Sequence, residues 1–285
     1  MGHMNQVGHA IAALGTDLGP DILIQCHALF DAEQGALLAQ VPVSNGDVAY
    51  GPHERHRLDL YRPERKGGAP ILVFVHGGGF LKGDKGGADA WPNANVGRMA
   101  AQAGFLGAVI NYRLAPDNMW PAGAEDVAAV VAWLKVNAAR HGGDPDRIVL
   151  MGTSAGAVHV ASYVAVAGVA DVRAAILLSG LYGFTPLEAR DALYYGDPSV
   201  YPERMPLEAV ASTDLPLLVA CAEFDPPRFQ AEFLGLMQDR LSRHGAMPRA
   251  LILPGHNHYS MPMHLGTTDR RLADEICAFV RETTS

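Results

Sequence analysis

The sequence predicts an α/β fold, a mostly parallel central sheet with helices on both faces. Two patterns carry this expectation. Six short apolar runs, ILVFVHGGG (71–79), FLGAVINY (105–112), RIVLMG (147–152), AAILLSG (174–180), LPLLVACAE (215–223) and RALILPG (249–255), each end in glycine or polar residues, as parallel strands buried on both sides do. Stretches of helical character near 93–103, 122–140, 155–168, 228–244 and 268–282 fall between and after them, so strand and helix alternate.

Taken in chain order, residues 4–45 are helical in flavour and lie outside this alternation, which suits an N-terminal cap segment. The catalytic domain is expected to span 46–285. It opens with DVAYG (47–51) and RLDLYRP (57–63), whose polar–apolar alternation suits an antiparallel edge. The stretch 184–213, rich in Tyr and Pro, also breaks the pattern and is expected to form a short cap insertion over the strand ends. Met1-Gly2-His3 before Met4 reads as a cloning remnant.

Composition excludes several function classes. The chain has 285 residues, 49% apolar and 18% charged, enough for one sizeable core. Its 22 Lys plus Arg stand against 30 Asp plus Glu, and a net charge of −8 repels nucleic acid and anionic lipid surfaces. Three cysteines, Cys26, Cys221 and Cys277, are too few and too scattered for a disulfide framework or a zinc site, so a reducing cytoplasm fits best. No apolar run reaches the roughly 18 residues that span a bilayer. These counts leave a homodimer open.

The chemistry gathers around VLMGTSAGA (149–157). Its GTSAG fits G-x-S-x-G and sits between a predicted strand and a predicted helix, where small neighbours let a sharp turn lift the Ser154 hydroxyl clear of the sheet. The bland alternative is a small-residue turn that packs a helix on a strand. HGGGF (76–80) follows the first central strand, and its glycines leave N–H groups unshielded, as a developing oxyanion requires. It is no Walker loop, since Asp84 stands where the lysine belongs, and Lys82 spoils G-x-G-x-x-G. His76 is read as a support for this loop.

A serine needs a base, and the base needs a carboxylate to orient it. EFDPPRF (223–229) places Asp225 just past a strand end, with Glu223 two residues earlier and still in the strand. GHNHYS (255–260) offers His256 and His258. Their H-x-H spacing could serve a metal, but no third ligand cluster accompanies it, and neither a metal nor an organic cofactor is expected. His53 and His56 read as solvated turn residues.

With these residues in view, the chain resembles an esterase of the hormone-sensitive-lipase type in the α/β-hydrolase superfamily. The resemblance rests on HGGGF (76–80), NYRLAPDNMWPAGAEDV (111–127), HGGDPDRIVLMGTSAGA (141–157) and the late EFDPP and GHNHYS pieces, in the right order over most of 47–280. It implies Ser154 as nucleophile, Asp225 as acid, and Gly78, Gly79 and Ala155 as oxyanion donors. It also implies His258, standing before an aromatic, as the base in preference to His256. Tyr112, Arg113 and Asp126 become structural supports.

EFDPPRF and the short insertion are similar to the bacterial arylformamidase branch too, although those enzymes usually carry an aromatic where this chain has Gly79. The expected function is a serine carboxylesterase acting on small short-acyl esters through an acyl-enzyme. Arylformamidase-like amide hydrolysis is the alternative. A non-catalytic ligand-binding module would be favoured only had a triad position been lost. Tyr194, Tyr195, Phe184 and Trp91 are candidates for an apolar pocket.

Overall fold

A computed structural model describes residues 2–64 and 67–285; Met1, part of the segment read as a remnant, lies outside them, while Gly2 and His3 lie in the first helix. Eight strands form one sheet in the order β1-β2-β4-β3-β5-β6-β7-β8. They are β1 (Asn45–Ala49), β2 (Arg57–Tyr61), β3 (Ala69–Val75), β4 (Leu106–Ile110), β5 (Gly143–Thr153), β6 (Ala174–Leu178), β7 (Leu217–Phe224) and β8 (Arg249–Asn257). β1 and β2 run antiparallel at one edge, and β3 to β8 are parallel. The first central run stops being strand at Val75, because the three glycines after His76 lack side chains to pack between sheet faces.

Alternation along the strands sorts the core into two layers. Ile71, Val73, Val75, Leu150, Leu177 and Val219 face α4 (Ala122–Asn137), α5 (Ala155–Ala167) and α9 (Pro227–His244). Their neighbours Leu72, Phe74, Val149, Met151, Ile176 and Leu218 face α3 (Ala94–Gln102) and α11 (Arg271–Thr283). β3, β4 and β6 are apolar and buried throughout because neither of their faces meets water.

The N-terminal segment forms α1 (Gly2–Leu14) and α2 (Pro20–Gln40). Ile11, Cys26 and Phe30 pack there with Trp91 and Met263. The fully buried Gln34 amide donates to the carbonyls of Met263 (2.7 Å) and Leu265 (3.0 Å), clamping α2 onto the chain beyond β8. Between β6 and β7 lie three short helices, α6 (Ala192–Tyr195), α7 (Tyr201–Arg204) and α8 (Leu207–Ser212), and after β8 comes α10 (Ser260–Met263).

Two sequence readings require correction. His56 is not solvated: it is buried, its Nε2 2.9 Å from Asp126 Oδ1, because Asp126 needs partners where water is excluded. Arg113 supplies the others, its backbone N–H and Nε reaching Asp126 at 2.6 and 2.7 Å. His53 is half-buried and accepts from the Arg55 N–H. The proposed pocket aromatics also separate. Trp91 belongs to the N-terminal cluster and donates to Asp31, and Phe184 lies against Gly235 of α9. Tyr194 and Tyr195 are fully buried around Phe80, with Tyr194 stacked on it at 4.3 Å.

Burial holds three histidines neutral, lowering the pKa of His76 to about 4 and of His159 and His264 to about 3. In the unfolded chain each titrates near ~6.5, so their contribution is complete above that pH and lost as pH falls toward the folded values. Each costs about 1.4 kcal/mol per pH unit across that window. The urea midpoint should therefore drop between pH 7.5 and pH 5.5, before the carboxylates titrate. An unchanged or rising midpoint would contradict this account.

Candidate active site

The turn from β5 into α5 leaves no room for side chains at its glycines. A side chain on Gly152 would strike the backbone of Gly156, and one on Gly156 would strike the Val75 carbonyl on the neighbouring strand. With both glycines free to close up, Ser154 is driven to φ 54°, ψ −123°, a left-handed conformation costly for a non-glycine residue. Its N–H is tied to the Leu178 carbonyl at 2.9 Å, and its own carbonyl accepts from Val158. Ser154 is partly exposed, while the residues before and after it are buried.

The loop after β3 lies alongside. A Cβ built on Gly77 would sit 3.2 Å from the Ser154 Cβ, which puts the glycine run against the serine. Gly78, Gly79 and Phe80 all have positive φ (130°, 59° and 69°). Among the described residues, no acceptor takes the Gly78 or Gly79 N–H groups. Ala155 contributes the first N–H of α5, and N–H groups in a helix's first turn have no partner inside the helix. Phe80 tolerates its strain because stacking with Tyr194 fixes it and its carbonyl accepts from Ala115. Beneath the loop the Tyr112 hydroxyl donates to the His76 carbonyl (3.0 Å) and the two rings stack at 4.5 Å, as expected of supports.

Asp225 follows directly on β7, where the pairing with β8 shifts between Ala222 and Phe224. It is fully buried, and His258 Nδ1 lies 2.8 Å from its Oδ1. Its other oxygen accepts from the Ser179 hydroxyl (2.6 Å) and the Ala222 N–H (2.8 Å). Burial alone would raise its pKa, but His258, Ser179 and Ala222 together hold it below the usual carboxylate range. The competitor Glu223 remains in the strand and accepts from the Gly255 N–H.

A continuous path of bonds links Asp225, His258 and Ser154. Ser154 bonds to Leu178, the next residue Ser179 bonds to Asp225, and Asp225 bonds to His258. The His258 ring packs on Phe229 at 4.3 Å, and Phe229 shares an apolar cluster with Ala155 and Val158. The structure thus joins Asp225 to His258 and sets the glycine loop against Ser154, with Phe229 packed on His258 and clustered with Ala155 beside the serine, while His256 bonds elsewhere.

His256 bridges Ser260 Oγ (3.0 Å) and Asp269 Oδ2 (3.1 Å) beside His264; against the expectation of no third ligand, His256, His264 and Asp269 lie close enough together to hold a metal ion by position. Their capacity is largely taken up, since Arg271 also forks onto Asp269. Such a guanidinium opposes a further cation.

Sequence reasoning passed over several supports. Glu232 is fully buried, and its carboxylate accepts four successive N–H groups, from Tyr182, Gly183, Phe184 and Thr185 (2.7–3.2 Å), which roots the insertion on α9. A carboxylate three residues after Phe229 and one before Phe233 lies on the apolar stripe of its helix, and that spacing was the available signal.

Residues 58–177 match the family described as BD-FAE. A solved esterase from Pyrobaculum calidifontis superposes with TM-score 0.69, covering 96% of this chain and 98% of that one at 22% identity. The chain has the α/β-hydrolase fold. The chain is also similar to a probable carboxylic ester hydrolase, LipM, from Mycobacterium tuberculosis, with 34% identity over 64% of the chain and 47% of that protein. A probable isoprenylcysteine alpha-carbonyl methylesterase, ICMEL1, of Oryza sativa subsp. japonica is 44% identical over 40% of the chain and 26% of that protein. The chain therefore spans less than half the length of these curated relatives.

His256→Ala removes one hydrogen bond each from the buried Ser260 hydroxyl and the Asp269 carboxylate, which keep Asn257 and Arg271 as partners, at a cost of about 0.5–1.5 kcal/mol per bond. The expected result is a lower thermal midpoint with the Asp225–His258 bond intact, read as an unchanged downfield imidazole N–H resonance. Loss of that resonance would show that the two histidines form one network.

Proposed function

We propose that the chain is a serine carboxylesterase of small short-acyl esters, working through an acyl-enzyme. The observation that carries this reading is the His258–Asp225 bond of 2.8 Å, with the acid fully buried and linked through Ser179 to the strained Ser154 turn. His258 Nε2 removes the Ser154 proton as Oγ bonds to the acyl carbon, and the carbonyl electron pair moves onto oxygen. The Gly78, Gly79 and Ala155 N–H groups stabilise that oxyanion, while Asp225 fixes the tautomer that leaves Nε2 as acceptor. Collapse expels the alcohol with the proton from His258. Water, deprotonated by the same imidazole, then cleaves the acyl-enzyme and restores the serine.

Every group in this sequence of steps belongs to the chain, so chelators should leave activity unchanged; loss in EDTA restored by zinc would favour a metal mechanism through the His256 cluster. Similarity to proteins named as ester hydrolases supports the reaction class. The three cysteines are buried and unpaired, which supports a reducing cytoplasmic setting.

A second reading, cleavage of an N-formyl arylamine by the same groups, rests on the resemblance of EFDPPRF (223–229) and the short insertion to the bacterial arylformamidase branch. An amine leaves less readily than an alkoxide or phenolate, so a site tuned for esters discriminates between them. The kcat/KM for p-nitrophenyl acetate and butyrate should exceed that for long-chain esters and for a formyl anilide. A preference for N-formylkynurenine over every simple ester would replace the esterase reading with this one.

The nucleophile has its own test. A fluorophosphonate should label Ser154, and Ser154→Ala should lower kcat by roughly 10⁴–10⁶ with folding intact. His258→Ala should match it, whereas His256→Ala should retain much of the activity. An adduct on another residue, or near-native turnover in the serine variant, would sink the assignment.

A further inference from the structure

The insertion carries two arginines, and they are placed differently. Arg204 is used internally: its guanidinium donates to the Tyr195 carbonyl and lies 5.3 Å over the Trp120 ring. Nearby Arg228 is likewise consumed, by Asp191 and Glu188. Arg190 is exposed, and among the described residues no carboxylate lies within 4.0 Å of its guanidinium.

Its head group nevertheless does not trail into solvent. It lies on Gly79, occupying the space that a side chain at that position would fill, with Nη2, Cζ and Nε all against the site of the missing Cβ. Its charge also reaches Tyr259, next to His258: burial raises the pKa of that hydroxyl and the Arg190 charge draws it partly back. A cation with no carboxylate partner among the described residues thus lies on the glycine loop that flanks the partly exposed Ser154, with its charge felt at Tyr259.

A planar guanidinium matches a carboxylate with two parallel hydrogen bonds, which gives it direction as well as charge. With the surrounding acids already committed elsewhere, the partner must arrive with the substrate. We propose that Arg190 is a specificity-determining residue that pairs with a carboxylate on the substrate, so that this site favours half-esters of short dicarboxylic acids over neutral esters of the same length. The proposal rests on the esterase reading above. It also gives Gly79 a second role, since any side chain there would displace the guanidinium.

The test compares monomethyl glutarate with methyl valerate, in which a methyl group replaces the carboxylate on an acyl chain of the same length. Hydrolysis is followed by pH-stat titration in the native protein and in Arg190→Gln and Arg190→Lys. The ratio of kcat/KM, glutarate over valerate, should fall about tenfold in Arg190→Gln, the scale of one charge-assisted hydrogen bond. Arg190→Lys, which keeps the charge without the fork, should recover part of it, and added salt should lower the native ratio.

A ratio that stays within about twofold of native in Arg190→Gln, or an equal loss on both esters, overturns the proposal: the guanidinium then only packs the loop. Cleavage of methyl valerate with an unmoved ratio removes this proposal alone. Failure to cleave either ester, with no labelling of Ser154, removes the esterase reading and the proposal with it.

Discussion

One close approach organises the molecule: Gly156, in the first turn of α5, against the carbonyl of Val75 on β3. It sets how near helix and sheet can lie, forces the backbone of Ser154 into its left-handed conformation, and brings the glycine loop after β3 beside the serine hydroxyl. Strain of this kind persists only where its surroundings over-determine it. Here the surroundings are the bond from Ser154 to Leu178, buried strands on both sides, and a helix that starts at the next residue.

A second constraint is the handling of buried negative charge. Asp225, Asp126 and Glu232 are each essentially fully buried and each surrounded by donors. Asp225 receives a histidine, a serine and a backbone N–H; Asp126 a histidine and an arginine; Glu232 a run of backbone N–H groups that form a ready anion cradle. The three carboxylates fasten His258, the loop beneath the glycines and the insertion. Exposed pairs such as Arg270 with Asp274 are screened by solvent and contribute little beside them.

Much of this was legible in the sequence because it depends on local pattern. Buried parallel strands read as apolar runs ended by glycine, and the Ser154 turn needs small residues at fixed spacing, so both leave marks that composition cannot hide. Asp225 was separable from Glu223 because leaving a strand is itself a chain signal. What could not be read were the long-range partners. His56 looked like a turn residue because Asp126 lies 70 positions away, and Trp91 looked like a pocket residue because the helices that cover it come from the start of the chain. Arg190 carries no motif, and its meaning comes only from the missing side chain at Gly79.

The clamp of α2 on the far end of the sheet has a bearing on how the protein fails under heat. Gln34 holds the carbonyls of Met263 and Leu265, and Cys26 touches Asn257, so the turn bearing His258 is braced by a helix about 230 residues earlier. That helix is anchored through a small apolar cluster of its own, apart from the two large layers that hold the sheet. Elements with few core contacts open at lower free energy than the body they lean on. Release of α2 would therefore unbrace the turn bearing His258 while the strands stay paired, and local opening there would run ahead of global melting.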